Sequence, residues 1–199
     1  MNFFSKFFKK SSSKEEPKNP ESKFLPKKKA AIEERFILKF IENGGKFLYC
    51  ENLGEVQKNF DLILDENEWV SQDILLINST LKKQFDLNYN FSSSFEESKC
   101  FLTNCENLIA IDGSILISSN QIHEKKLKEF PDSLIILSDT MKLKNTISEG
   151  LSEIKSKSKS IPTNITTIKN FDMIKEDKDF LSYGTSSKNL YLILLEKGF

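Results

Sequence analysis

The side chains of this chain that could do chemistry are gathered in three polar segments, each beside an apolar run. The first runs from Glu106 to Asn120 and holds an Asp112-Gly113-Ser114 turn and a polar exit at Ser118, Ser119, Asn120 and Gln121. The second holds Thr163, Asn164 and Thr166. The third holds Gly184, Ser186 and Lys188, directly before a final apolar run. Loops at strand ends of an α/β sheet are where ligands usually bind, and these hydroxyls, amides and one lysine suit a carboxylate or phosphate. The same residues also read as ordinary turn chemistry: Asp-Gly for a hairpin, Gly-Thr-Ser-Ser for a loop.

Other chemistries find little support. The usual nucleotide cradles and the G-x-S-x-G elbow are missing. His123 is the single histidine and reads as a surface or helix-start residue, which removes Ser-His-Asp and Cys-His mechanisms. Cys50, Cys100 and Cys105 are one thiol short of a four-thiolate cluster, and with His123 they show no zinc spacing. They are expected to be buried, free and small-apolar in behaviour. Neither a metal nor an organic cofactor is expected.

These residues must be positioned by a fold that the apolar pattern outlines. Helices are expected at Ala30–Ile41, Leu53 to about Asn67, Leu81–Phe85 and Thr140 to about Lys157, with a helical turn over 123–128. Strands are expected at Lys46–Cys50, Asp73–Ile77, Phe101–Thr103, Leu108–Ile111, Ser114–Ser118, Ser133–Leu137 and Leu190–Leu195, with a short one near Tyr89–Phe91. Alternating strands and helices give an α/β domain with a mainly parallel sheet flanked by helices. Asp112-Gly113 between two apolar runs adds a central β-hairpin.

The chain has 199 residues, 38% hydrophobic and 29% charged, enough for one medium domain plus a tail. No run approaches the roughly 20 apolar residues of a membrane-spanning helix. The absence of a signal-like leader and the three unpaired cysteines point to a reducing, cytoplasmic setting. The net charge is zero, but residues 1–30 hold nine lysines against three glutamates, 9 − 3 = +6, so the rest carries −6. An acidic body with one arginine, Arg35, is a poor match for nucleic acid. The boundary is expected near residue 30, with residues 1–29 as tail and 30–199 as the α/β domain. At about 100° per residue Phe3, Phe4, Phe7 and Phe8 share one helix face and Lys6, Lys9 and Lys10 the other. Residues 1–10 could therefore lie on the inner face of an anionic membrane or dock in a partner groove. Ser11–Pro20 reads as a disordered linker.

The order of the polar segments carries a resemblance. Asn107–Leu116 resembles the "A-x-x-G-I-A-E-T-G-T-L-V" hairpin of the LUD-domain family, which includes the lactate-utilisation protein LutC and YkgG-like relatives. Phe130–Ile136 resembles that family's "P-x-x-H-I-x-V", Pro162–Ile168 its "G-P-S-R-T-A-D-I-E", and Tyr183–Leu195 its "G-V-H-G-P-x-x-L-x-V-x-L-L". The resemblance spans roughly residues 95–199 and suggests a short, stand-alone member. It implies a fold akin to the NagB/RpiA/CoA-transferase group and a link to oxidation of lactate or related carboxylates beside iron–sulfur partner proteins. Asp112 stands where the family has Glu, Asn164 where it has Arg, Thr166 where it has Ala and Ser133 where it has His; Thr185-Ser186-Ser187 replaces His-Gly-Pro. The resemblance with these departures points to a ligand-binding or regulatory protein that takes a small anionic ligand or a protein partner. Two alternatives stand beside it: a CoA-transferase-like enzyme acting on a small carboxylate, with Asp112 or Glu106 as nucleophile or base and Lys188 offsetting developing negative charge, and an accessory subunit of an iron–sulfur lactate oxidoreductase.

Overall fold

The computed structural model describes residues 31–157, 161–169, 171 and 189–197. The amphipathic and linker readings of residues 1–30, and the candidates Gly184, Ser186 and Lys188, lie outside the described residues.

Helix α1 (Ile32–Glu42) carries Glu33 and Glu34 in its first turn and Lys39 in its last, matching the helix dipole at both ends. It buries Phe36, Ile37 and Phe40. Strand β1 (Lys46–Cys50) follows, then α2 (Leu53–Glu66), whose N-cap Asn52 accepts the Glu55 N–H at 3.0 Å. A 3₁₀ turn leads into β2 (Ile74–Leu76), and α3 (Thr80–Gln84) is one short turn. Strand β3 (Cys100–Thr103) is followed by the hairpin β4 (Asn107–Ile109) and β5 (Ser114–Ser118) and by the short α4 (Ser119–Ile122). Then come β6 (Ser133–Asp139), β7 (Leu143–Lys144), α5 (Ile147–Lys157), β8 (Ile165–Ile168) and β9 (Asn189–Leu195).

Two sheets result. The five-stranded one has the order β1-β9-β6-β3-β2, and its pairings are all parallel. The four-stranded one, β7-β4-β5-β8, is mixed. The Asp112-Gly113 hairpin is therefore present, but it seeds this second sheet instead of joining the main one. Period-two alternation splits the main sheet's side chains between two cores. Leu134, Ile136, Leu190, Leu192 and Leu194 pack toward α1 and the second sheet. Ile135, Leu137, Tyr191, Ile193 and Leu195 pack with Val56, Phe60 and Ile63 of α2. Burial on both faces explains why β6 and β9 read as continuous apolar runs.

Four sequence expectations are corrected. The long helix over Thr140–Lys157 is a 3₁₀ turn (Thr140–Lys142), then β7, then α5. Asp139 caps the 3₁₀ turn by accepting the Met141 N–H at 3.1 Å, and Leu143 pairs with Leu108 in the second sheet. The segment expected as a polar loop at 161–169 contains β8, its threonines half-buried beside β5. The strand near Tyr89–Phe91 is reduced to one bridge, Leu75 with Ser92. The helical turn expected over 123–128 forms only at the end of that range, as a 3₁₀ turn at Leu127–Glu129, while α4 stops before it at Ile122.

Candidate functional site

In a parallel sheet the carboxyl ends of the strands are left open by the crossovers. Here that edge gathers a polar cluster. Strand β3 runs out into Asn104, Cys105 and Glu106, and β6 ends in Ser138 and Asp139. The Cys105 thiol, 1% exposed, lies 3.3 Å from the Ser138 hydroxyl. Burial pushes the Cys105 thiol up to about 12; Ser138 and Lys142 act against that, and Glu106 and Asp139 add to it. Cys105 thus marks a point within electrostatic reach of one lysine and two carboxylates. It is itself too hard to ionise to be a nucleophile. Asp139 also pairs with Lys197, beyond β9, at 3.3 Å, and Thr140 Oγ accepts the Lys197 N–H at 3.1 Å while donating to its carbonyl at 2.9 Å.

Glu106 joins this edge to the second sheet. Its N–H donates to the Leu116 carbonyl at 2.8 Å. Its Oε1 accepts the Ser118 hydroxyl at 2.6 Å and the Asn120 amide at 2.9 Å. Ser118 is fully buried and caps α4 by accepting the Asn120 N–H at 3.1 Å. Gln121, also buried, accepts the Ser118 N–H at 2.8 Å and donates to Asn104 Oδ1 at 3.3 Å. Ser119 donates its N–H to the Asn164 carbonyl at 2.8 Å, and its Oγ accepts the Thr163 N–H at 3.2 Å.

The structure therefore brings Glu106, Ser119, Asn120, Thr163 and Asn164 together. Thr166 is two residues into β8, opposite Ile117. Asp112, Gly113 and Ser114 are elsewhere. They lie at the far end of β5 from Ser118, four residue steps or about 14 Å away. There Asp112 Oδ1 accepts the Ser114 N–H at 3.1 Å and its hydroxyl at 2.7 Å, and the Asp112 carbonyl accepts the Asn43 amide at 2.7 Å. Gly113, at φ +71°, lies so close to α1 that a Cβ would sit 2.4 Å from the Lys39 carbonyl carbon and the Phe40 nitrogen. This turn locks the hairpin to α1. Asn189, which closes the third polar segment, opens β9 at the amino end of the main sheet, where its N–H donates to the Asp132 carbonyl at 2.9 Å.

Residues that sequence reasoning missed are Asn104, Ser138, Asp139, Lys142 and Lys197, whereas Ser118 and Gln121 belong to the polar exit it singled out. The available signal was the polar residues closing each buried apolar run, once the sheet is taken as parallel. His123 ends α4, exposed, with φ +52°. The three cysteines are free and buried. Among the described residues no group of three or more His, Cys, Asp or Glu could hold a metal ion. No helix of the described residues is long and apolar enough to cross a membrane.

A parallel sheet flanked by helices, extended after its third strand by a second, mixed sheet, defines an α/β domain whose open edge carries a mixed-charge polar cluster. The chain belongs to the LUD-domain family, whose pattern matches residues 26–195. The fold is similar to that of a DUF162 family protein from Deinococcus radiodurans, with a TM-score of 0.56 at 11% identity, covering 83% of this chain and 96% of that one. None of the curated proteins compared matches the chain.

Proposed function

We propose that this LUD-domain protein binds a small organic anion at the carboxyl edge of its parallel sheet and serves as a binding or accessory component related to lactate utilisation. The observation that supports this reading most directly is the convergence around Cys105 of Glu106, from the end of β3, and of Ser138, Asp139 and Lys142, from the segment that closes β6. Lysine and amide donors suit an anionic oxygen, and the Glu106 carboxylate suits a donor group on the same ligand. Cys105 does not ionise readily, and the Ser118 proton is directed to a carboxylate within a helix cap, so the arrangement favours binding over nucleophilic turnover. The test is calorimetry and thermal shift of the full chain with a panel of short carboxylates. A saturable shift in the wild type that is lost in Lys142→Ala supports the site, because ligand that binds only the folded state raises its stability. An equal shift in Lys142→Ala rejects it.

One observation favours a second reading as a CoA-transferase-like enzyme. Both hydrogen bonds to Glu106 fall on Oε1, so its orientation is fixed while Oε2 is not engaged by them. Turnover of an acyl-CoA with a carboxylate acceptor, abolished in folded Glu106→Gln, would establish that reading instead.

A further inference from the structure

The edge proposed above as an anion site also holds a charge of the opposite kind that a simple anion leaves unanswered. We infer that its ligand is a small zwitterion, an α- or β-amino acid, whose carboxylate meets Lys142 and whose ammonium meets Glu106. The inference rests on the reading of this edge as an anion site and narrows the class of ligand.

Four charged side chains stand there: Glu106, Asp139, Lys142 and Lys197. Two of them already offset each other. Lys197 Nζ lies 3.3 Å from Asp139 Oδ2, while Asp139 Oδ1 accepts the Met141 N–H. Glu106 and Lys142 remain, one of each sign, and among the described residues neither forms an ion pair. Both are half-buried, so each gives up part of its hydration without an opposite charge in contact. Their backbones are neighbours. Leu108 lies opposite Leu143 in the β4–β7 pairing, with Glu106 two residues before that pair and Lys142 one. Strand spacing and rise then bring the two to within about 8 Å. A lysine stem could close that gap, yet Glu106 is turned elsewhere. Its Oε1 accepts the Ser118 hydroxyl at 2.6 Å and the Asn120 amide at 2.9 Å, bonds that leave Oε2 unused. Ser118 is itself fixed, fully buried and bonded to Gln121 Oε1 at 3.1 Å.

A ligand with one charge cannot answer both groups. A plain carboxylate at Lys142 adds a third anion beside Glu106 and Asp139. An ammonium one or two carbons from that carboxylate offsets Glu106 through a charge-assisted hydrogen bond to Oε2. A hydroxyl in the same place would donate a hydrogen bond but offset no charge.

The test is calorimetry of the full chain with L-alanine, β-alanine, L-lactate and propionate at neutral pH. L-Lactate keeps the shape of L-alanine with a hydroxyl in place of the ammonium. One of the two amino acids should bind at least ten-fold more tightly than lactate and propionate. Glu106→Gln keeps an Oε1 acceptor for Ser118 and Asn120, and an unchanged unfolding midpoint would show that it folds. It should weaken amino-acid binding at least ten-fold, and Lys142→Ala should abolish it. Lactate or propionate binding as tightly as the amino acids, and losing that binding in Lys142→Ala, would overturn the zwitterion and leave the anion site standing. Amino-acid binding that ignores Glu106→Gln would overturn it as well. So would binding of none of the four, with the carboxylate panel described above deciding the anion site by itself.

Discussion

Gly113→Ala should be the most damaging methyl addition in this protein. Its φ of +71° is a left-handed conformation, which costs an L-residue about 1–2 kcal/mol. The added carbon would also meet the Lys39 carbonyl carbon and the Phe40 nitrogen at 2.4 Å and Lys39 Cβ at 2.8 Å. Two of those atoms are helix backbone, so relief requires the turn and α1 to move apart, and overpacking of that kind costs about 1–3 kcal/mol. The sum is about 2–5 kcal/mol, a large share of the roughly 5–15 kcal/mol that holds a domain folded. Urea unfolding followed by tryptophan fluorescence and far-ultraviolet circular dichroism would measure it, with Gly54→Ala as the control. Gly54 is helical, and the one contact its added carbon would make is with the Asn52 side chain at 3.2 Å, so that variant should stay within about 1 kcal/mol of wild type. In a melt, the Gly113 variant should drop by roughly 5–15 °C at this chain length. A loss below about 1 kcal/mol, or one equal to the control, would refute the claim that the turn is seated on α1.

Glu153 gives a pH dependence. Burial pushes its carboxyl up, but hydrogen bonds from Lys157 at 2.5 Å and Asn107 at 2.6 Å, together with Lys144, hold it down to about 2. A depressed folded value stabilises above the unfolded range near 4.5 and is lost as pH falls toward 2, so Glu153→Gln should remove about 1–2 kcal/mol at neutral pH and flatten the acid limb of stability. Burial lifts the Cys50 thiol to about 11 and Cys105 to about 12, and raises Cys100 further. A thiol reagent should therefore titrate none of the three rapidly in the native protein and all three in denaturant; one fast native thiol would contradict this burial. Asn52→Ala removes the α2 cap and should cost about 1 kcal/mol in urea unfolding, while Asn52→Asp should restore most of it. Phe60→Ala empties a fully buried position among Tyr89 and Phe91 and should cost about 3–5 kcal/mol.

Local pattern was enough wherever one element fills its own period. Lys46–Cys50 is a strand at the expected boundaries, Leu53–Glu66 is the expected amphipathic helix, and the Asp112-Gly113 hairpin forms. Pattern failed where a tertiary partner decides. Leu143 falls four residues before Ile147 and so imitates a helix stripe, yet Leu143 pairs with Leu108, while Ile147 and Leu151 are 36% and 40% exposed. Thr166 and Thr167 look like loop residues until β5 is placed beside them. The candidate site was partly legible for a related reason. Polar loops beside strands were visible, but which end of a strand a loop occupies depends on strand direction and sheet order. Asp112 and Glu106 are six residues apart in sequence and belong to opposite ends of the second sheet.

The position of β9 sets a condition on how the molecule is made. The last strand of the described chain lies between β1 and β6, paired with five residues of one and seven of the other. During synthesis the other four strands of the parallel sheet emerge first and wait with a gap between β1 and β6. Until Asn189–Leu195 arrives, β1 has no neighbour in that sheet and β6 keeps one side unpaired. Such open strand sides invite mispairing with other chains. The sheet must therefore close as a late event, slowed by the long sequence separation between β1 and β9. A nascent chain halted before residue 189 would carry nearly all of its apolar sequence and still lack the strand that joins it into one sheet.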